Sequence, residues 1–168
     1  MCINIRLEKT RDIQSIHAIT IAAFLDAPHT DHTEQFIVDA LRDSGALSVS
    51  LIAEDSSKIV GHVALSPVTI SDGSKDWYGL GPISVVPTDQ NKGIGSKLMH
   101  AALRELNNLN ANGCVLLGDP NYYRRFGFEP IGGLVLPDVP PEYFQAALLK
   151  GSYPTGLVTY HESFSAQS

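Results

Sequence analysis

Apolar and polar positions change period several times along the chain, and each change predicts an element. Ile3, Ile5 and Leu7 alternate with polar neighbours, the two-residue period of a strand with one buried face. Ile13, Ile16, Ile19 and Ala23 then recur at three- and four-residue steps. This predicts an amphipathic helix over residues 12–24, with Thr10 and Asp12 placed to cap its start. A loop around Pro28 separates it from a second helix over residues 33–44, where Phe36, Ile37, Ala40 and Leu41 share a face and Gly45 ends the run.

Residues 47–54 and 59–70 are rich in Val, Ile, Leu and Ser, and Asp55-Ser56-Ser57-Lys58 between them has the composition of a hairpin turn. A further strand over residues 77–86 carries Gly79, Gly81 and Pro82. Proline cannot donate to a sheet ladder and glycine weakens one, so a bulge or a gap in pairing is expected there. Ile94, Leu98, Ala102, Leu106 and Leu109 mark the buried stripe of a long helix, ending near residues 110–113. The apolar run 114–117 reads as a strand buried on both faces, broken by Gly118-Asp119-Pro120. Beyond it, residues 128–131 are expected to resume as a strand, residues 141–149 to form a short helix, and residues 156–161 to close the sheet.

This order of elements, with no internal repeat or linker, predicts an α/β (α+β) fold in one domain spanning residues 1–168. Composition narrows the class. With 43% hydrophobic and 18% charged residues the chain can bury an ordinary core. No stretch approaches the roughly 20 apolar residues of a membrane helix, and the start of the chain lacks the pattern of a secretion signal, so a cytoplasmic protein is expected. The net charge of −6 argues against nucleic acid as a partner, whose binders carry a basic face, and mildly favours a cationic small substrate. Cys2 and Cys114 have no neighbouring ligands at metal spacing and read as small buried hydrophobes.

The chemistry concentrates after residue 86. A strand, a tight glycine-bearing loop and a long helix present backbone N–H groups and a helix N-terminus to an anion. Gly93 and Gly95 let the main chain approach a phosphate closely, and Lys92 adds charge. The nucleotide-hydrolase pattern G-x-x-x-x-G-K-[ST] does not occur, and Leu98 stands where a dinucleotide fingerprint needs a small residue.

The same residues resemble a known family. Gln90-Asn91-Lys92-Gly93-Ile94-Gly95 fits the Q/R-x-x-G-x-G/A motif of the GCN5-related N-acetyltransferases (GNAT), and Tyr123-Arg124-Arg125-Phe126-Gly127-Phe128 is similar to that family's Y-x-x-x-G-F segment. The element order is also similar to the family's. The stretch Pro140-Pro141-Glu142-Tyr143-Phe144 with residues 156–164 looks like a bacterial YhbS-type branch. The resemblance implies a mixed, mostly antiparallel sheet with a bulged fourth strand, flanked by helices, and transfer of an acetyl group from acetyl-CoA to an amine by direct attack. It implies that backbone groups of Ile83, Ser84 and Val85 meet the pantetheine arm. Gln90, Asn91, Lys92, Gly93, Ile94, Gly95 and Ser96 would surround the pyrophosphate, and Tyr123 would act as general acid.

One departure stands out: the fourth strand lacks the carboxylate that family members often place there as base, which leaves Glu54, His62, Glu129 or an ordered water chain. That absence also keeps open a non-catalytic acyl-CoA-binding module, or a transferase with another acyl donor. His29, Asp31 and His32 are suitable metal ligands in type, yet no third element converges on them, so they are expected to line the acceptor pocket without a metal. Arg124 and Arg125 read as solvated charges. The expected partners are the acyl-CoA donor and a small-molecule or peptide amine, with the protein a monomer or homodimer.

Overall fold

The computed structural model describes residues 2–28 and 30–168. Strand β1 (Ile3–Leu7) leads through a 3-10 turn (Thr10–Asp12) into helices α1 (Ile13–Phe24) and α2 (Glu34–Asp43). Strands β2 (Val49–Asp55), β3 (Lys58–Ile70) and β4 (Trp77–Val85) precede helix α3 (Ile94–Asn108). Strand β5 (Gly113–Leu117), the single-turn helix α4 (Pro120–Tyr123), and strands β6 (Leu134–Val135), β7 (Phe144–Leu148) and β8 (Gly156–Tyr160) complete the order.

The sheet runs β1-β2-β3-β4-β5-β7, antiparallel except for the parallel β4–β5 pair, while β8 pairs with the end of β3 and with β6. Helices cover both faces. Leu51 and Ala53 of β2 and Val63 and Leu65 of β3 pack in one core with Ile94, Leu98, Ala102 and Leu106 of α3. Ile52, between Leu51 and Ala53, points the other way and meets Ile16 of α1 and Val38 of α2. The strand period of two thus divides one strand between two helical layers.

Several sequence expectations change in the fold. Residues 141–149 are a 3-10 turn (Pro141–Tyr143) followed by strand β7 rather than a helix. Phe144-Gln145-Ala146-Ala147-Leu148 is too short for its period to decide. What decides is the free edge of β5, along which all five residues pair from Gly113↔Leu148 to Leu117↔Phe144. Residues 128–131 do not resume as a strand; among the described residues they contribute one isolated bridge, Glu129 to Ala146.

Asp12 does not cap α1 with its side chain. Its carboxylate turns back to the Lys9 N–H (2.7 Å) and the Arg6 guanidinium (2.7 and 3.1 Å). Helix α2 buries Ile37, Val38 and Leu41, with Phe36 only half-buried. At the edge strand β1, Leu7 is 55% exposed, and Cys2 is exposed rather than buried; Cys114 is buried as expected.

Candidate active site

The site begins with a defect in the sheet. Along β3 and β4 the register passes from Val63↔Ile83 to Leu65↔Leu80, so β4 carries one residue more than β3 between those pairs. The extra residue falls at Gly81-Pro82, where the sequence predicts a bulge, and Gly81 has φ +142°. Past this point β4 loses its other neighbour: pairing with β5 covers Trp77↔Gly113, Tyr78↔Cys114 and Gly79↔Val115 and then stops. Residues 80–85 are held from the β3 side alone. Their backbone groups on the opened side need another partner, because unpaired buried main-chain groups are costly.

The opening is a cleft of about 790 Å³. Ile83 and Val85 form one wall, the loop and first turn of α3 a second, and Gly118, Asp119, Tyr122, Tyr123 and Arg125 a third. The loop is closed on β4 by the Gln90 side-chain amide, which donates to the Val85 carbonyl (3.1 Å). Asn91 (φ +63°) and Gly93 (φ +83°) take left-handed conformations, and the chain then enters α3 with no side chain capping it. The first N–H groups of α3 therefore remain available to an anion, at the positive end of the helix dipole. A Cβ on Gly95 would stand 3.2 Å from the Tyr122 hydroxyl, narrowing the cleft where the helix begins.

Tyr123 reaches the cleft because Gly118 makes room for it: a Cβ on Gly118 would collide with the Tyr123 ring. Burial, with smaller contributions from neighbouring Tyr122 and Asp119, pushes the Tyr123 hydroxyl up to about 12. It is protonated at any physiological pH.

Of the residues singled out in the sequence, Ile83, Val85, Gln90, Asn91, Gly93, Ile94, Gly95, Ser96 and Tyr123 converge on this one cleft. Two loop and strand side chains do not. Lys92 lies 3.4 Å from Asp89 in an exposed pair, and Ser84 is buried away from the cleft. Asp31 is exposed, and His32 lines a separate shallow depression with Ile21, Phe24, Leu25 and Gln35. His29 lies outside the described residues.

The candidate bases also stand apart from the cleft. Glu54 accepts from Arg6 (3.1 Å) beside a different surface pocket, Glu129 is exposed, and His62 is wholly buried. Burial lowers His62 to about 4, so it is neutral at pH 7 and far too weak a base to take a proton from an ordinary amine. The cleft also takes in Asp89, Gly118, Asp119 and Tyr122, which the sequence pattern does not single out, and Arg125, which reads as a solvated charge and is exposed at the cleft. Arg125 was the reachable one: it sits inside the second motif, with its guanidinium over the Tyr122 ring (4.6 Å) and its Nε donating to the Tyr122 carbonyl (2.9 Å).

The sheet parts at a bulged strand, with a helix N-terminus and a tyrosine at the opening, as the resemblance to the GNAT family implies. The model of the acetyltransferase (GNAT) domain matches residues 4–131, and the chain belongs to this family of N-acetyltransferases. It is 34% identical over 157 residues to the uncharacterized N-acetyltransferase YhbS of Escherichia coli K12, covering 89% of this chain and 94% of the relative. The crystal structure of YhbS from Escherichia coli in complex with CoA matches with a TM-score of 0.89 at 32% identity, over 99% of this chain and 93% of the other. A GNAT family acetyltransferase from Brucella melitensis, in complex with acetyl-CoA, matches with a TM-score of 0.87 at 44% identity, over 97% of this chain and 98% of the other. No metal-binding group of three or more His, Cys, Asp or Glu side chains occurs among the described residues, and no helix among them is long and apolar enough to cross a membrane.

Proposed function

We propose that the cleft between β4 and α3 receives acetyl-CoA and that the enzyme, working as one domain in the cytoplasm, passes the acetyl group to an amine acceptor. The observation that carries this reading is the convergence of the opened β4 edge, the uncapped start of α3 and Tyr123 on one cavity. Backbone N–H groups of the loop and of the first turn of α3 hold the pyrophosphate. The free edge of residues 83–85 supplies main-chain partners to the pantetheine arm and an N–H to the oxyanion formed when the amine attacks the thioester carbonyl. Tyr123 donates to the sulfur as the carbon–sulfur bond breaks. Lys92 contributes through its backbone position in the loop, since its ammonium group is engaged by Asp89.

Gly95→Val tests the phosphate cradle. The added branches approach the Tyr122 hydroxyl at the mouth of the helix, so coenzyme A affinity measured by calorimetry is expected to fall at least about 10-fold in a folded variant, roughly 1.4 kcal/mol. Unchanged affinity would place the pyrophosphate elsewhere.

The segment 26–32 joins α1 to α2, and we assign acceptor recognition to it through Asp31, His32 and His29. Asp31→Ala and His32→Ala are expected to change the rates across a panel of amines several-fold while leaving coenzyme A affinity within about twofold, roughly 0.4 kcal/mol. An unaltered amine profile, or a loss confined to donor binding, would remove the segment from acceptor choice.

A further inference from the structure

On the face of the sheet covered by α1 and α2, a buried polar chain runs inward from the surface. Arg42 donates to both carboxylate oxygens of Glu8 (2.8 Å each), the Ser50 hydroxyl donates to Glu8, and Ser50 Oγ lies 2.8 Å from His62 Nε2. Although partial burial of Glu8 pushes the other way, the hydrogen bonds from Arg42 and Ser50 hold its carboxyl below the ordinary range, so it only accepts. Ser50 has a single hydrogen and gives it to Glu8. Its oxygen must therefore accept from His62, which places the imidazole proton on Nε2 and leaves Nδ1 as a bare lone pair. That lone pair is fully buried and has no partner among the described residues.

Directly across the β3–β4 ladder from His62 stands Ser84, also buried, whose hydroxyl likewise has no partner among the described residues. One unmet acceptor and one unmet donor thus occupy register partners, whose Cβ atoms lie about 5 Å apart on the same face of a sheet. A single bridging water would meet both groups, and leaving both unmet would cost about 1–3 kcal/mol each.

We propose that His62 is a positioning residue for the donor site: through one buried water it accepts from the Ser84 hydroxyl and fixes residues 83–85 of β4. The need arises where β4 has already lost β5. Beyond Gly79 the strand is bonded on one side only, and its free edge must stay straight enough to receive a ligand. The Arg42–Glu8–Ser50 chain fixes the His62 ring and its tautomer, and Ser84 transmits that orientation to the strand between the two cleft-lining residues Ile83 and Val85. This inference rests on the reading that coenzyme A lies along residues 83–85.

A double-mutant cycle on coenzyme A affinity tests it. Ser84→Ala removes the donor. His62→Gln keeps an amide nitrogen able to reach Ser50 and removes the Nδ1 acceptor. Each single variant is expected to bind coenzyme A roughly 3- to 10-fold more weakly, and the double variant to be no more than about twofold weaker than the worse single, because both remove the same link. Full affinity in Ser84→Ala, or losses that simply multiply in the double variant, would overturn the proposal. If His62→Gln does not fold, Ser50→Ala replaces it in the cycle with the same expectation, since the freed ring can turn or change tautomer. Wild-type protein that binds no coenzyme A would instead defeat the donor-site reading, independently of the tether.

Discussion

Tyr123→Phe is expected to lower kcat roughly 10²-fold, about 3 kcal/mol, with coenzyme A affinity nearly unchanged. The substitution keeps the ring that packs against Gly118, Phe126 and Phe128 and removes the hydroxyl alone. The size of the effect follows from proton affinities. A buried phenol near 12 is a much weaker acid than a thiol, whose ordinary value is about 8.5. Complete transfer of the proton to sulfur is thus uphill by roughly 5 kcal/mol, so the role proposed for Tyr123 is chiefly to donate a hydrogen bond as charge develops. A hydrogen bond to a charged group is worth about 1.5–3 kcal/mol, which sets the expected loss at the lower end of what a positioned acid supplies. The same argument predicts no alkaline limb from Tyr123 in the pH–rate profile below about pH 11. Single-turnover rates and coenzyme A affinities on one folded variant check this. A chemical step as fast as wild type would remove Tyr123 from the mechanism, and a loss of affinity alone would make it a binding residue.

Acidification is expected to destabilise the fold well before its carboxylates titrate. His62 falls from an ordinary 6.5 to about 4 because burial penalises its charged form; the Glu8 carboxylate opposes this and Arg42 reinforces it. Between those values the unfolded chain binds a proton that the native state refuses. Stability is therefore full above about pH 6.5, lost progressively as pH falls, and lowered by about 3 kcal/mol in all by pH 4. Roughly 2 kcal/mol of this falls between pH 7 and pH 5. Glu8, Asp12 and Asp72 are all held below their ordinary values, so their contributions fade at lower pH. Urea unfolding of wild type and His62→Gln at pH 7 and pH 5 isolates the histidine. The variant, whatever its starting stability, is expected to lose about 2 kcal/mol less over that interval. Equal losses would show that His62 is not held neutral in the native state.

Two carboxylates and a histidine considered as bases show how far residue type alone carries an assignment. Glu54, His62 and Glu129 are all chemically capable, and the fold sends them to an ion pair, a sealed interior and an exposed bridge respectively. Activation of the amine by an ordered water chain is the arrangement of those considered that needs none of the three beside the cleft.

Elements whose pattern is long or chemically constrained are legible in the chain alone. The 15-residue helix α3 announces itself by a buried stripe, and the loop before it by residues that only a left-handed turn or a close approach to an anion requires. The bulge of β4 was legible because glycine and proline are poor ladder residues anywhere. Tertiary structure decided what depends on a neighbour. Residues 144–148 became a strand because β5 offered an open edge, although the run itself is compatible with a helix. Ser84 and Lys92 belong to the segments the motif marks but do not line the cleft: strand alternation buries the Ser84 side chain away from it, and the Lys92 ammonium group pairs with Asp89. Arg125, Tyr122 and Asp119 joined the site through the turn that follows β5, and His62 is linked through Ser50 to Glu8 only because β2 and β3 lie side by side next to the end of β1. Local periodicity and backbone chemistry act over a few residues and can be read in order along a chain; convergence between strands far apart in sequence depends on register and packing, which no short stretch encodes.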